Sequence, residues 1–185
     1  LSIITVVKDD REGLVRTRNS LDKQFPVLNQ CRVQHIVIDG GSSDGSDSLA
    51  REWARRGYLT FVSGPDSGIY DGMNRGLSVA LGEFVWFLNA GDTLATENTL
   101  DFLLNWLDST TADWVIGAVK PVDHEGRRVG PTLLPHISPR RVRWGDIFLN
   151  HQGMLMRTQV VRAAGEFDTT YRSAGEFHLY LRLLM

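Results

Sequence analysis

A single cysteine, Cys31, stands in a chain of 185 residues. No internal disulfide framework and no multi-cysteine zinc site can be built from it, and a reducing compartment is the expected setting. Long apolar runs are missing as well. None approaches the ~20 residues that cross a bilayer, and no secretory leader pattern opens the sequence. Charge of one sign is not in excess: 20 Lys and Arg against 22 Asp and Glu leave a net charge of −2. That balance gives no overall attraction to nucleic acid or to an anionic membrane, and the basic-aromatic interleaving of a nucleic-acid groove is not found. What is present is globular material, 42% hydrophobic and 23% charged, enough for one domain with one substantial core. The chain opens on Leu1 and is still in an apolar pattern at Met185, so a piece of a longer protein, truncated at its C-terminal end, is expected.

Strand and helix alternate through the first 107 residues. Leu1–Val7 is a near-continuous apolar run, the pattern of a central parallel strand covered on both faces. A helix carrying Leu14, Val15 and Leu21 follows and ends before Pro26. Val33–Ile38 reads as a buried strand, and Leu49, Ala50, Trp53 and Ala54 give a helix over 46–56. A short strand, Leu59–Val62, runs into the turn Ser63–Asp66. Ile69, Met73, Leu77 and Ala80 then share a helical face, although Gly72 and Gly76 each cost about 1 kcal/mol in a helix interior. Close approach of a neighbour or a ligand accounts for them, and so does a distorted first turn. Glu83–Leu88 is the next buried strand, and Thr96 is expected to cap a helix carrying Leu100, Leu103, Trp106 and Leu107. Beyond it come a strand at Trp114–Ile116, a hairpin near Val122–Val129, a strand from His151 to Arg157, a short helix to Ala164, and a helical face with Phe177, Leu181 and Leu184. The expected fold class is α/β with a largely parallel sheet.

Three polar loops follow strands: Asp39–Ser46, reading Asp-Gly-Gly-Ser-Ser-Asp-Gly-Ser, then Asp66–Asn74, then Asn89–Asp92. Parallel strands place all three on one edge, where open α/β sheets bind ligands. The first loop does not fit Gly-x-Gly-x-x-Gly, and its carboxylates suit a ribose or a base edge better than a phosphate; plain turn chemistry is the alternative. Asp92, after a buried strand, suits a hard divalent cation, or else it caps a helix or turns the chain. His151, beside Gln152, is placed to touch a metal or a diphosphate, or is a hydrogen-bonded structural histidine. His35, His124, His136 and His178 show no shared metal spacing. Arg127, Arg128, Arg140, Arg141 and Arg143 lie in a segment without an acid until Asp146. Such a segment binds phosphate or an anionic membrane surface, or is a solvated loop.

Ser2-Ile3-Ile4-Thr5-Val6, Ile38–Ser46, the stretch Asp66-Ser67-Gly68-Ile69-Tyr70-Asp71-Gly72-Met73-Asn74-Arg75-Gly76, and Phe87-Leu88-Asn89-Ala90-Gly91-Asp92 together resemble the family 2 glycosyltransferases in order and spacing. His151-Gln152, Gly165–Asp168 and Ala174–Phe177 are similar to that family's acceptor-side segments. The wording Gly-Ile-Tyr-Asp-Gly-Met-Asn and Phe-Leu-Asn-Ala-Gly-Asp resembles the branch that builds bacterial exopolysaccharide, colanic acid included. The resemblance implies a GT-A fold in one glycosyltransferase domain, with nucleotide-sugar binding over 1–118 and the acceptor and catalytic part over 119–185. It implies a nucleotide-diphospho-sugar donor, UDP first, a divalent cation (Mn²⁺ or Mg²⁺), inversion at the sugar carbon, and a saccharide or lipid-linked acceptor. Residue by residue, Thr5 and Asp39 are implied to hold the nucleoside, with Asp66, Tyr70, Asp71 and Asn74 closing over it and Asn89 beside it. Asp92 is implied as the main metal carboxylate, with His151 as a further ligand. The family's Asp-x-Asp is altered here, since Asn89 stands for the first Asp and Gly91 for the second. Gln152, Asp168, Arg140, Arg141 and Arg143 fall on the acceptor side.

Glu176 stands where the family carries its catalytic Asp, which makes it the implied general base; the other reading is an exposed acid in a helix first turn. A cytoplasmic place, peripheral at the inner face of the membrane, goes with such acceptors. Two other functions stay open on the residues: a nucleotidyltransferase, against which the mixed-charge, single-glycine stretch Lys8–Gly13 counts, and a non-catalytic nucleotide-binding module, for which Asn89 and Gly91 speak.

Overall fold

The structure, a computed structural model, describes residues 1–24, 32–133, 138, 140, 144 and 149–184. Strand β1 (Ser2–Val7) is buried at every position, as its apolar run requires of a strand covered on both faces. β2 (Gln34–Asp39) and β4 (Phe84–Phe87) flank it in parallel, and β3 (Thr60–Ser63) extends the sheet beyond β2. β6 (Met154–Arg157) pairs antiparallel with β4 and with the edge strand β5 (Trp114–Ile116). The strand order is β3-β2-β1-β4-β6-β5, a largely parallel sheet as expected. β6, from late in the chain, thus lies inside the same sheet as the first four strands.

The two-residue period of β1 sorts the core into two layers. Ile4 and Val6 pack with Met73 and Leu77 of α3 (Ile69–Ser78), and with Val161 of α5 (Thr158–Ala163) and Leu179 of α6 (Gly175–Leu183). Ile3 meets Leu21 of α1 (Arg11–Asp22) and Leu100 of α4 (Thr99–Leu107), while Val7 meets Leu14 and Ala50, the latter on α2 (Ser46–Arg55).

Several local expectations change. Thr96 does not cap α4: the helix starts at Thr99 after Asn98, and the Thr99 hydroxyl bonds back to the Thr96 carbonyl at 2.9 Å. Capping comes instead from buried Gln24, beyond the end of α1, whose Oε1 accepts from Leu100 N at 3.0 Å. The strand expected from His151 begins only at Met154, because His151–Gly153 is a 3₁₀ turn closed by Gly153 N on Asn150 O. Ile69 is exposed rather than packed, and Ala80 is buried beyond the end of α3. The hairpin near 122–129 is present as a Val122–Arg128 bridge.

Gly72 and Gly76 are explained by close approach. A Cβ at Gly76 would lie 2.4 Å from Ile4 Cγ2, and one at Gly72 would lie 2.7 Å from Val6 Cγ1. Helix α3 therefore rests directly on β1. Gly76→Ala gains about 1 kcal/mol of helix propensity but presses a methyl into a buried, β-branched side chain on the central strand. Overpacking of that kind costs about 1–3 kcal/mol. We expect a net loss of stability in urea unfolding; an unchanged or raised midpoint would show that α3 can lift off the sheet.

Candidate active site

The loops that leave β1 to β4 lie side by side at the carboxyl edge of the sheet, and most of their carboxylates bind their own backbone. Asp9 Oδ1 accepts from Ser43 N at 2.7 Å, and Asp9 N donates to Ser42 Oγ at 2.9 Å. Asp44 accepts from Arg11 N at 2.8 Å and from the Ser46 hydroxyl at 2.6 Å, and the latter bond leads in holding its carboxyl below the ordinary range. Asp39 departs from the role expected of it. It is fully buried, and its oxygens accept from the amides of Gly41 and Ser42 and from the Ser63 hydroxyl at 2.9 Å. A carboxylate so engaged shapes the loop and has no surface for a ribose.

Thr5 departs in the same way. Its hydroxyl, with no exposed surface, donates to Leu88 O at 2.8 Å and lies 3.1 Å from His35 Nε2. Because the Thr5 proton goes to Leu88, the ring nitrogen must be the donor to Thr5. His35 Nδ1 then faces Arg18 Nη1 at 3.3 Å and accepts from it. Burial first, and Arg18 second, push the His35 pKa down to about 3. His35 is a neutral structural residue, as its spacing suggested.

A cleft of about 490 Å³ opens between the ends of β1 and β4 and the start of α3, with Lys8, Asp10, Asp66, Gly68, Ile69 and Asn89 on its walls. α3 has no side-chain cap, so its first amides are available to an anion in the cleft. Of the residues expected to close over a nucleoside, Asp66 is on the wall. Asp71 turns back to accept from Ser67 N at 2.9 Å. Asn74 is a structural tie: it donates to Phe167 O at 2.8 Å and accepts from Phe167 N at 2.9 Å. Tyr70 is buried, stacked on Phe167 with centroids 5.7 Å apart.

The Asn89–Asp92 loop is held by a residue that sequence reading passed over. Buried Thr17 of α1 points its hydroxyl at the carbonyls of Asp92 (2.8 Å) and Asn89 (3.2 Å) and accepts from Gly91 N at 3.0 Å. Asp92 Oδ2 accepts from Asn89 N at 3.1 Å. Burial pushes the Asp92 carboxyl up, opposed by His151 and by hydrogen bonds from Asn89 and Gln152. Asn89 Oδ1 is buried with no hydrogen-bond partner. An orphaned oxygen beside a poorly solvated carboxylate is the donor set a hard cation uses, with waters and phosphates completing its shell. Asn89 and Asp92 are thus of the donor type a divalent cation takes, although among the described residues no three His, Cys, Asp or Glu side chains surround one point. Asp92 and Gln152 also line a second cleft of about 750 Å³, with Arg16, Lys120 and Arg128.

Glu176 lies in the first turn of α6, half-buried, and each of its oxygens faces a different group. Oε2 accepts from the Tyr70 hydroxyl, and His151 Nδ1 stands 3.7 Å from Oε1. Burial works to raise the carboxyl, but His151 and Tyr70 together hold it at about 2; the same contact and burial push Tyr70 up to about 12. The backbone is fitted to this arrangement. Ala174 sits at φ 59°, a left-handed conformation costing about 1–2 kcal/mol in a non-glycine residue. Gly175 donates its N–H to the Tyr70 oxygen at 2.9 Å, and a Cβ there would meet the Tyr70 ring at 2.8 Å.

Asp168 caps a local turn, accepting from Thr170 N at 2.9 Å, with His178 Nδ1 at 3.8 Å. The arginine segment is less bare than its sequence suggests. Arg127 pairs with Asp123 at 2.9 Å and with Glu125, because the hairpin folds the preceding acids onto it. Arg140 is exposed; Arg141, Arg143, His136 and Cys31 lie outside the described residues. Among the described residues, no helix is long and apolar enough to cross a membrane.

Comparison with known proteins supplies the wider setting. The model of the family described as glycosyl transferase family 2 matches residues 2–165. An uncharacterized glycosyltransferase of Mycobacterium tuberculosis is 31% identical over 186 residues, covering 98% of this chain and 68% of that protein. Two solved structures share the fold. TarS of S. aureus, in complex with UDP-GlcNAc, has a TM-score of 0.79 at 20% identity, covering 99% of this chain and 52% of its own. The mannosyltransferase PcManGT from Pyrobaculum calidifontis, in complex with GDP-Man and Mn²⁺, has a TM-score of 0.70 at 18% identity, with 98% and 51% covered. The chain thus spans about half the length of these two structures.

The buried His35 gives a testable dependence on pH. Its folded pKa is depressed to about 3 from an unfolded value near 6.5. The unfolded chain therefore binds the extra proton first, and stability, full above about pH 6.5, is lost as pH falls toward 3. Between about pH 6.5 and 4.5 the slope should approach ~1.4 kcal/mol per unit, before Glu176 begins to contribute. His35→Gln should flatten urea-unfolding stability across that window. An equally steep profile in the variant would place the titrating group elsewhere.

Proposed function

Because the chain belongs to glycosyl transferase family 2, we propose that it carries the donor cleft and the catalytic carboxylate of an inverting glycosyltransferase. The reaction moves a sugar from a nucleoside diphosphate, UDP first, to a hydroxyl of a saccharide or lipid-linked acceptor in bacterial cell-surface polysaccharide synthesis. The observation that carries this reading is Glu176, a half-buried carboxylate fixed by Tyr70 and His151 and joined through His151 to Asn89 on the cleft wall.

The geometry supports a division of labour. The cleft between Lys8, Asp66 and the start of α3 takes the nucleotide, and Thr5 and Asp39 hold the neighbouring strand ends and loop through their hydrogen bonds. The Lys8 ammonium and the uncapped amides of α3 favour the diphosphate. Asp92 and Asn89 Oδ1 would hold Mn²⁺ or Mg²⁺, which neutralises charge on the departing diphosphate. The acceptor oxygen attacks the anomeric carbon opposite the phosphate, the carbon–oxygen bond to phosphate breaks, and the acceptor proton passes to Glu176. One carboxylate suffices for such an inversion. Gln152 and the second cleft are read as the acceptor side, and Arg140, Arg141 and Arg143 as a contact with the cytoplasmic face of the membrane. The nucleotidyltransferase reading loses ground because Asp10 Oδ1 accepts from Gly13 N at 2.8 Å, filling the amide position a triphosphate would need.

Two measurements on the full-length chain test this reading. UDP should bind more tightly with Mn²⁺ than with excess chelator, and Asp92→Ala should abolish that difference in calorimetry. Equal affinity in both conditions would remove the cation. Glu176→Gln keeps shape but removes the proton acceptor, so kcat should fall ~10²–10⁴-fold with donor affinity nearly unchanged. A Gln variant that keeps most of its turnover would move the role to another residue.

A further inference from the structure

Asn89 has two ends, and the structure uses them differently. Its Nδ2 lies 3.0 Å from His151 Nε2, and its Oδ1 is buried without a partner. An amide NH₂ is only a donor, so His151 Nε2 must present its lone pair. A neutral imidazole then carries its proton on Nδ1, the nitrogen that faces Glu176 Oε1 at 3.7 Å. Tyr70 supplies the donor to Oε2. Both oxygens of the carboxylate therefore face hydrogen-bond donors, and only one of the two neutral histidine tautomers allows it.

We propose that Asn89 is a positioning residue which, by donating to His151 Nε2, sets the tautomer that turns Nδ1–H toward Glu176 and so ties the donor loop to the base. This rests on the reading of Glu176 given above. The amide at position 89 is needed for what a carboxylate cannot do. An Asp there would accept from Nε2–H, and a neutral ring would then turn its Nδ1 lone pair toward Glu176, repelling it. The alternative, a protonated ring between two carboxylates, gives a charge pattern of a different kind. The departure from Asp-x-Asp at position 89 is, on this account, a gain of a donor. Thr17 fixes the loop through the Asp92 carbonyl at 2.8 Å and the Gly91 amide at 3.0 Å, so the side-chain amide of residue 89 is delivered from a tied loop. Asn89 Oδ1 stays available to the cation or the donor substrate while Nδ2 holds the histidine.

The test is direct observation of the ring nitrogens. In the full-length chain, long-range ¹H–¹⁵N spectra, with His151 assigned by His151→Gln, should show Nδ1 protonated and Nε2 bare. Asn89→Asp and Asn89→Ala should each move the signals toward Nε2–H or, for Asp, toward the doubly protonated ring. kcat should fall about 10- to 100-fold, the loss known for residues that orient a ligating side chain through hydrogen bonds, in step with the tautomer shift. A role for residue 89 as metal ligand alone predicts the opposite for Asn89→Asp: tighter Mn²⁺ and retained kcat. That outcome, a wild-type ring already protonated on Nε2, or a tautomer indifferent to both substitutions would each overturn the proposal. If Glu176→Gln keeps its turnover while the tautomer shifts as described, the base assignment fails and the Asn89–His151 link stands.

Discussion

Burial of β1 on both faces is the constraint from which most of this structure follows. A strand with helices above and below has no water to satisfy its polar groups, and an unmade hydrogen bond there costs about 1–3 kcal/mol. Every polar side chain at this level must therefore find a partner inside. Thr5 finds Leu88 and His35. Asp39, one strand over, finds two loop amides and the Ser63 hydroxyl. The strand also dictates the helix above it, since α3 can lie so close only with glycine facing Ile4 and Val6. The carboxyl ends of the strands inherit this order. Their loops start from fixed positions and are laced to each other by Asp9 and Asp44 before any ligand arrives.

The same constraint separates what can be read from one sequence from what cannot. Apolar runs and helical spacing mark β1, β2, β4 and α1 to α4, because burial selects those patterns at each residue independently. Gly72 and Gly76 could be flagged, yet not assigned, since what they approach lies on another strand. Thr96 was a reasonable cap by type, but Gln24 reaches the amide of Leu100 across the fold. No local rule sees such a bond. The 3₁₀ turn at His151–Gly153 was hidden for a related reason: its residues resemble a strand, and the tight turn closes on Asn150.

At the site, residue types point to loops at one sheet edge, while the contact each side chain makes depends on the rest of the fold. Glu176, His151, Asn89, Asp92 and Tyr70 are linked through consecutive contacts. Thr5, Asp39, Asp71 and Asn74, expected at the nucleotide, make hydrogen bonds to backbone within the fold. Acidic and amide side chains near a ligand edge serve two purposes, building the loop and meeting the ligand, and spacing alone does not distinguish them. Thr17 gave no signal at all, being one more small residue on an amphipathic helix. Lys8 was visible, but as part of a mixed-charge turn.

A carboxylate held near pKa 2 is a weak proton acceptor, and this bears on how Glu176 can act. Two donors favour its ionised form, the form a base requires. The same donors reduce its affinity for the acceptor proton, and Brønsted behaviour would prefer a pKa nearer to the working pH. Basicity is thus exchanged for a carboxylate fixed in one orientation. Tyr70 is the less movable of the two, stacked on Phe167 and bonded to the Gly175 amide. The His151 contact is longer, at 3.7 Å, and its ring is steered by Asn89 on the cleft wall. The base is thereby oriented from two elements, α3 through Tyr70 and the turn before β6 through His151. The left-handed turn at Ala174 starts the helix that carries the carboxylate, so its position is set from the backbone as well.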